Sequence, residues 1–222
     1  MKDSKIKNVQ PLRTSDQIAR FRDTINLLGR FYEEEPKKTG RNQKKSTKPK
    51  IADPEKVRLL FDLGINWGLR VSDLVSLTVD DVTLTSATDN HIRVREQKTG
   101  KIRTITVTPK IKKEIEHYIE SHKLENSRWL FPSRQRNKQG EIDHINTKTL
   151  YLQLEKVADY LGWDYVGTHT LRKTYGYWLY KASDHNIALV QRELNHSSQA
   201  VTLRYIGITQ EESDKVLNKF NL

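Results

Sequence analysis

One short stretch of this chain alternates, while the rest repeats every three or four residues. His91-Ile92-Arg93-Val94-Arg95-Glu96 and Arg103-Thr104-Ile105-Thr106-Val107 place apolar side chains at every second position. Lys98-Thr99-Gly100-Lys101 between them has the chemistry of a hairpin turn. Asp81-Val82-Thr83-Leu84 is a candidate third strand. A chain with so little strand signal can build only a small antiparallel sheet among helices. The expected class is α+β, mostly α-helical with a small antiparallel three-stranded sheet.

The helical signals are regular. Thr14 and Gln17 suit a capping box, and Ile18, Phe21, Ile25, Leu28 and Phe31 follow at helical spacing, which predicts a helix from 15 to 33. Asp53-Pro54 starts the next helix, with Val57, Leu60, Phe61 and Ile65 as its buried face and Gly68 as its end. Ser72 is a candidate cap for a short helix through Leu77. Pro109 opens a helix bearing Ile111, Ile115, Tyr118 and Ile119, and Ser133 to Glu141 reads as a polar, basic loop. Asn146 caps a helix that Gly162 ends. Thr168 is the candidate cap for the helix of Arg172, Tyr175 and Leu179, and Ile187, Val190 and Leu194 mark another. Thr209 and Glu212 form a last capping box before Val216, Leu217 and Phe220.

Between the first two helices, Pro36 to Lys50 holds Lys37, Lys38, Arg41, Lys44 and Lys45 and no acidic residue. Such a run either follows a nucleic-acid backbone or is a solvated linker. The net charge of +11 favours the arm, because so large a surplus calls for a polyanionic partner. Residues 1–50 therefore read as a helix and a basic arm, and 51–222 as the main domain with a C-terminal helix. With no cysteine, a disulfide framework and a cysteine nucleophile are excluded. No apolar run approaches the ~20 residues of a membrane helix, and Met1-Lys2-Asp3-Ser4-Lys5 leads into no signal-like segment, so no membrane partner is expected. His91, His117, His122, His144 and His185 have no metal-ligand spacing, so neither metal nor cofactor is expected.

The chemistry lies in a scattered set. Gly68-Leu69-Arg70-Val71-Ser72-Asp73 follows an apolar helix, and Lys98 sits on the hairpin turn. His169-Thr170-Leu171-Arg172 opens a helix, Leu194-Asn195-His196-Ser197-Ser198 closes one, and Tyr205 follows. Taken alone, a histidine and an arginine three apart are more often a cap and a surface ion pair. Together, two arginines, two histidines and a phenol suit one phosphodiester: the planar forks hold its oxygens and the phenol attacks phosphorus. A lysine or histidine within reach can protonate the leaving 5′-oxygen. Neither arginine lies on an apolar stripe, so replacing either is expected to leave the fold intact. Tyr175, Tyr177 and Tyr180 cluster with Trp178 and read as packing.

In order and spacing the set resembles the catalytic domain of the tyrosine recombinases, the phage-integrase family, from about residue 53 to about residue 210. The resemblance implies that catalytic-domain fold. It also implies a site-specific recombinase, acting in the cytoplasm of a bacterial or phage host cell, that cuts and rejoins double-stranded DNA through a 3′-phosphotyrosyl intermediate. Tyr205 would be the nucleophile, Arg70 and Arg172 the phosphate clamp, and His169 the acid–base group. His196 would support the scissile phosphate, and Lys98 would protonate the leaving oxygen, with Lys101 as its rival. Asp73 would buttress the site. Lys101 and Lys173, with the arm, would touch DNA, and copies of the chain would assemble as a tetramer on it. Because the phosphotyrosyl ester keeps the energy of the broken bond, rejoining needs neither ATP nor metal. Two departures stand out: Asn195 replaces the usual glycine, and Lys173 replaces a frequent histidine. The 50 residues before the main domain are too few for the helical domain that usually closes a clamp around DNA. A non-catalytic DNA-binding accessory protein on the same fold is the alternative reading.

Overall fold

The computed structural model describes residues 8–34, 49–83 and 90–208. Helix α1 (Ser15–Glu33) starts at a complete capping box: Gln17 N–H donates to Thr14 Oγ1, and Gln17 Oε1 accepts from Thr14 N–H, both at 3.1 Å. Helix α2 (Pro54–Trp67) starts at Asp53, whose carboxylate accepts from Lys56 N–H. It ends at Gly68, held in the left-handed region at φ 59°. Two short helices follow, α3 (Val71–Val75) and α4 (Val79–Val82). Strands β1 (His91–Arg95) and β2 (Ile102–Thr106) pair antiparallel, with Ile92 opposite Ile105. Next come α5 (Pro109–Ser121), β3 (Pro132–Arg136) and β4 (Ile142–His144), then α6 (Thr147–Leu161), α7 (Thr170–Ala182), α8 (Ile187–Glu193) and α9 (Gln199–Ile206).

Helix α2 is the centre. It buries Val57, Leu59, Leu60, Phe61, Leu63, Gly64 and Trp67, so it is apolar on nearly every face and packs against α1, α5, α6 and α7 at once. Phe61 stacks on Phe21 of α1 at 4.7 Å between ring centres. Helix α1 thus shares the core of the residues after 51, through Phe21, Ile25 and Leu28. A second, smaller apolar cluster joins α7, α8 and α9 through Tyr177, Val190, Leu194 and Ile206, with Tyr175, Trp178 and Tyr180 against it. The aromatic group on α7 is packing, as its clustering suggests.

Several expectations need correcting. Among the described residues there are two two-stranded sheets, β1–β2 and β3–β4, in place of one three-stranded sheet. Asp81 and Val82 are helical: Thr78 Oγ1 accepts from Asp81 N–H and the Asp81 carboxylate from Thr78 N–H, a capping box that opens α4. Leu84 lies outside the described residues. The expected loop over 133–141 holds most of β3 and the turn that leads into β4. The hairpin's pairing is irregular and its side chains are polar and largely exposed, so it carries no alternation to read. Ser72 does not cap α3; Arg70 occupies that position without a side-chain bond. Thr168 does not cap α7 either. Thr170, buried, accepts from Gly167 N–H at 3.0 Å instead. Helix α9, which carries Tyr205, adds to the expected helices: Ser198 caps it and Gly207 ends it. The arm residues Lys37, Lys38, Arg41, Lys44 and Lys45 lie outside the described residues, as does the capping box at Thr209 and Glu212.

The close approach of α2 and α7 depends on Gly64. A Cβ there would lie 2.6 Å from Leu171 Cδ1 and 2.9 Å from Leu171 Cβ, and the second atom moves only if α7 moves. Gly64→Ala is expected to destabilise the protein by about 1–3 kcal/mol, the usual cost of overpacking. Urea unfolding of the two proteins measures it; an unchanged midpoint would show that α7 is free to shift.

Candidate active site

The site forms where the C-terminal ends of α2 and α8 meet the first turn of α7. Arg172, 3 % exposed, points into that junction. One guanidinium nitrogen donates to Gly68 O, at the α2 cap, and the other to Leu194 O, at the α8 cap, at 2.6 Å. Both acceptors are helix C-terminal carbonyls, which carry partial negative charge. Burial pushes the Arg172 guanidinium down to about 10, so it is still charged at neutral pH. Arg70, two residues past Gly68, pairs with Glu96 at 2.7 Å.

Glu96 is the residue that sequence reading passed over. It is 1 % exposed at the end of β1. Its Oε2 accepts from Arg70, from Thr99 Oγ1 at 2.8 Å and from Asn195 Nδ2 at 3.3 Å, and its Oε1 lies 3.9 Å from Arg172. Burial raises its carboxyl, but the hydrogen bonds and the Arg70 charge outweigh that and hold it below the ordinary range. The signal was present: Ile92, Val94 and Glu96 share one face of an alternating strand, and that face is buried. Asp73, also buried, accepts from Gln97 N–H at 3.0 Å, so it ties α3 to the hairpin. Burial raises its carboxyl, and the Glu96 charge adds to that.

Tyr205, on α9, reaches back to the first turn of α7. Its hydroxyl lies 3.3 Å from His169 Nδ1. Burial raises its phenol, while the charges of Arg172 and Arg70 and a hydrogen bond with Arg172 oppose the rise. The His196 ring meets the Tyr205 ring edge-on at 4.8 Å between centres. Thr202 Oγ1 donates to Ser198 O, so it can only accept from His196 Nδ1, at 3.2 Å. Burial, then the Arg172 and Arg70 charges, push His196 down to about 4. Desolvation depresses His169 too, followed by the charges of Lys173, Arg172, Arg70 and Lys98. Both rings are neutral at pH 7.

The structure therefore brings Arg70, His169, Arg172, His196 and Tyr205 together. Lys98 sits exposed at the tip of the β1–β2 turn, near enough for its charge to act on His169. Lys101 donates to Asn195 Oδ1 at 3.2 Å. Lys173 is turned inward: its ammonium donates to Val9 O at 2.7 Å and lies 5.4 Å from the Tyr205 ring centre. Among the described residues, no group of acidic and histidine side chains is placed to hold a metal ion, and no helix is long and apolar enough to cross a membrane.

The family model described as the phage integrase family matches residues 42–212. The chain belongs to the phage integrase family. A probable integrase/recombinase of Bacillus subtilis, YoeC, is 40 % identical over 152 residues, which are 68 % of this chain and 77 % of that protein. The tyrosine recombinase XerA of Pyrococcus horikoshii is 30 % identical over 173 residues, 78 % of this chain and 57 % of the relative. Among solved structures, XerH site-specific recombinase bound to a palindromic difH substrate superposes with a TM-score of 0.66 at 19 % identity, covering 96 % of this chain and 53 % of that one. The lambda integrase catalytic core superposes at 0.53 and 14 % identity, covering 85 % and 90 %. This phage-integrase chain thus spans little more than half the length of XerA and XerH, and its fold is that of the integrase catalytic core.

The depressed histidines make a pH prediction for the family member in hand. An unfolded histidine binds its proton near 6.5, whereas folded His196 does so only near 4. Between those values the unfolded state holds more protons, so stability falls as pH falls from about 6.5 to about 4. Thermal unfolding at pH 7 and pH 5 should show a smaller drop in Tm for His196→Gln than for the parent. Equal drops would mean that His196 titrates normally.

Proposed function

We propose that this chain is a site-specific DNA recombinase that cuts and rejoins double-stranded DNA through a 3′-phosphotyrosyl intermediate. One observation carries the reading: the Tyr205 hydroxyl meets His169 Nδ1 beside two arginines that no apolar stripe explains. Arg70 and Arg172 hold the non-bridging oxygens of the scissile phosphate. Tyr205 Oη forms the bond to phosphorus as its proton passes to His169 Nδ1. The bond from phosphorus to the 5′-oxygen breaks, and the Lys98 ammonium gives that oxygen a proton. His196, charged once an anion lies beside it, adds a donor to the phosphate. Attack by the 5′-hydroxyl of another strand reverses the steps, and the ester supplies the energy.

Exchange between two duplexes involves four strands, which suits four copies of the chain on DNA; a lambda integrase tetramer has been solved on a Holliday junction. The basic arm, Lys101 and Lys173 belong to the proposed DNA-facing set, although Lys101 and Lys173 each hold a protein oxygen in this structure. The working compartment is the cytoplasm of a bacterial or phage host cell. A non-catalytic accessory role leaves the convergence on Tyr205 unexplained.

Tyr205→Phe should bind DNA like the parent and form no covalent adduct with a nicked substrate on a denaturing gel. An adduct formed by the Phe protein would assign the nucleophile elsewhere.

Both arginines hold protein groups as well as the proposed phosphate: Arg70 pairs with buried Glu96, and Arg172 with two helix-end carbonyls. Arg70→Ala is expected to slow single-turnover cleavage by at least ~10²-fold, the scale of one lost preorganised donor. Arg172→Ala should also destabilise the fold, by about 1–3 kcal/mol for each carbonyl, because it leaves two buried helix-end carbonyls, Gly68 O and Leu194 O, without their donor. This corrects the expectation that either change leaves the fold intact. Denaturation and cleavage assays on both variants test it; equal stability of Arg172→Ala and the parent would contradict the structural role.

A further inference from the structure

The β1–β2 turn is anchored on both flanks of Lys98. On the α3 side, Gln97 N–H donates to Asp73 Oδ1 at 3.0 Å and Gln97 Nε2 to Ser76 Oγ at 2.8 Å. On the other side, one residue makes both contacts: Asn195 Oδ1 accepts from Lys101 Nζ at 3.2 Å, and Asn195 Nδ2 donates to Glu96 Oε2 at 3.3 Å. Asn195 holds φ 49°, the left-handed conformation that glycine adopts most easily and asparagine tolerates. The usual glycine would make the same turn of the chain and neither contact. Within the turn, Gly100 N–H donates to Glu96 O and Thr99 Oγ1 to Glu96 Oε2, so Glu96 joins the turn, the Arg70 clamp and Asn195.

We propose that Asn195 is a positioning residue: with Glu96 and Lys101 it latches the β1–β2 turn to the α8–α9 junction and so aims Lys98 at the leaving 5′-oxygen. This rests on the reading of Lys98 as proton donor. A lysine at an exposed turn tip samples many positions, and an amide that fixes the turn from the far side raises the fraction in which its ammonium reaches the substrate. The field of Lys98 at His169 is in keeping with a turn held over the site. The latch also gives Lys101 a role apart from protonation and DNA contact, since its ammonium is engaged by Asn195.

The test uses Asn195→Gly, which keeps the left-handed turn and removes only the amide. Single-turnover cleavage is measured on a normal duplex and on one with sulfur in place of the bridging 5′-oxygen, whose thiolate leaves without a proton. Asn195→Gly should cut the normal duplex about ten- to a hundredfold more slowly than the parent, the scale of a misplaced group, and the sulfur duplex at the parent's rate. Lys98→Ala should show the same pattern with a larger loss, and Arg70→Ala should be slow on both. A parental rate for Asn195→Gly on the normal duplex overturns the latch, and so does an equal loss on both substrates. If sulfur fails to restore Lys98→Ala but restores Lys101→Ala, the assignment of Lys98 falls and the latch falls with it.

Discussion

The Arg172 guanidinium, buried to 3 % exposure, is the contact on which the other parts of the site depend. Taking a cation out of water is costly unless its donors are met by well-placed acceptors. Here the acceptors are the last carbonyls of two helices, Gly68 O and Leu194 O, with Glu96 nearby. Those carbonyls are available because α2 ends in a left-handed glycine and α8 ends one residue before a left-handed asparagine. Around this one side chain the ends of α2 and α8, the start of α7 and the β1–β2 turn become mutually fixed.

The charge balance then shapes the chemistry. Arg70, Arg172, Lys98 and Lys173 all act on His169, against the buried carboxylate of Glu96 and an Asp73 whose carboxyl is raised. The local excess is positive, and both histidines are pushed toward their neutral forms. A phosphodiester, as proposed, brings the missing negative charge. It relieves the repulsion among the arginines and lets a histidine gain its proton where a donor is wanted. The same excess works against the rise that burial imposes on the Tyr205 phenol, although burial remains the larger effect.

The segment before α1 bears on this site as well. Leu12 N–H donates to Thr174 Oγ1, Trp178 Nε1 to Leu12 O, and an Arg13 Nη to Gly207 O, the left-handed cap that ends the Tyr205 helix. Residues 10–13 therefore lie across α7 and hold the end of α9. With α1 in the same apolar core, the first described residues help to place the tyrosine.

Periodicity and caps alone determined the positions of α1, α2, α5 and α6 and the β1–β2 hairpin, because those elements present apolar stripes or clean start and stop residues. The spacing of Arg70, His169, Arg172, His196 and Tyr205 marked them as a set, since those residue types share one chemistry. The polar β3–β4 hairpin escaped, as it buries too little to need a pattern. Helix α4 is too short to show either period, and its Thr78–Asp81 capping box is the better signal. Only the tertiary structure decided that Arg172 is buried between two helix ends, that Glu96 lies at the centre of the site, and that Asn195 contacts both Glu96 and Lys101 beside the Lys98 turn. The physical reason is range. Caps and stripes act between residues three or four apart, whereas Glu96 and Asn195 meet across 99 positions, at a distance set by helix packing.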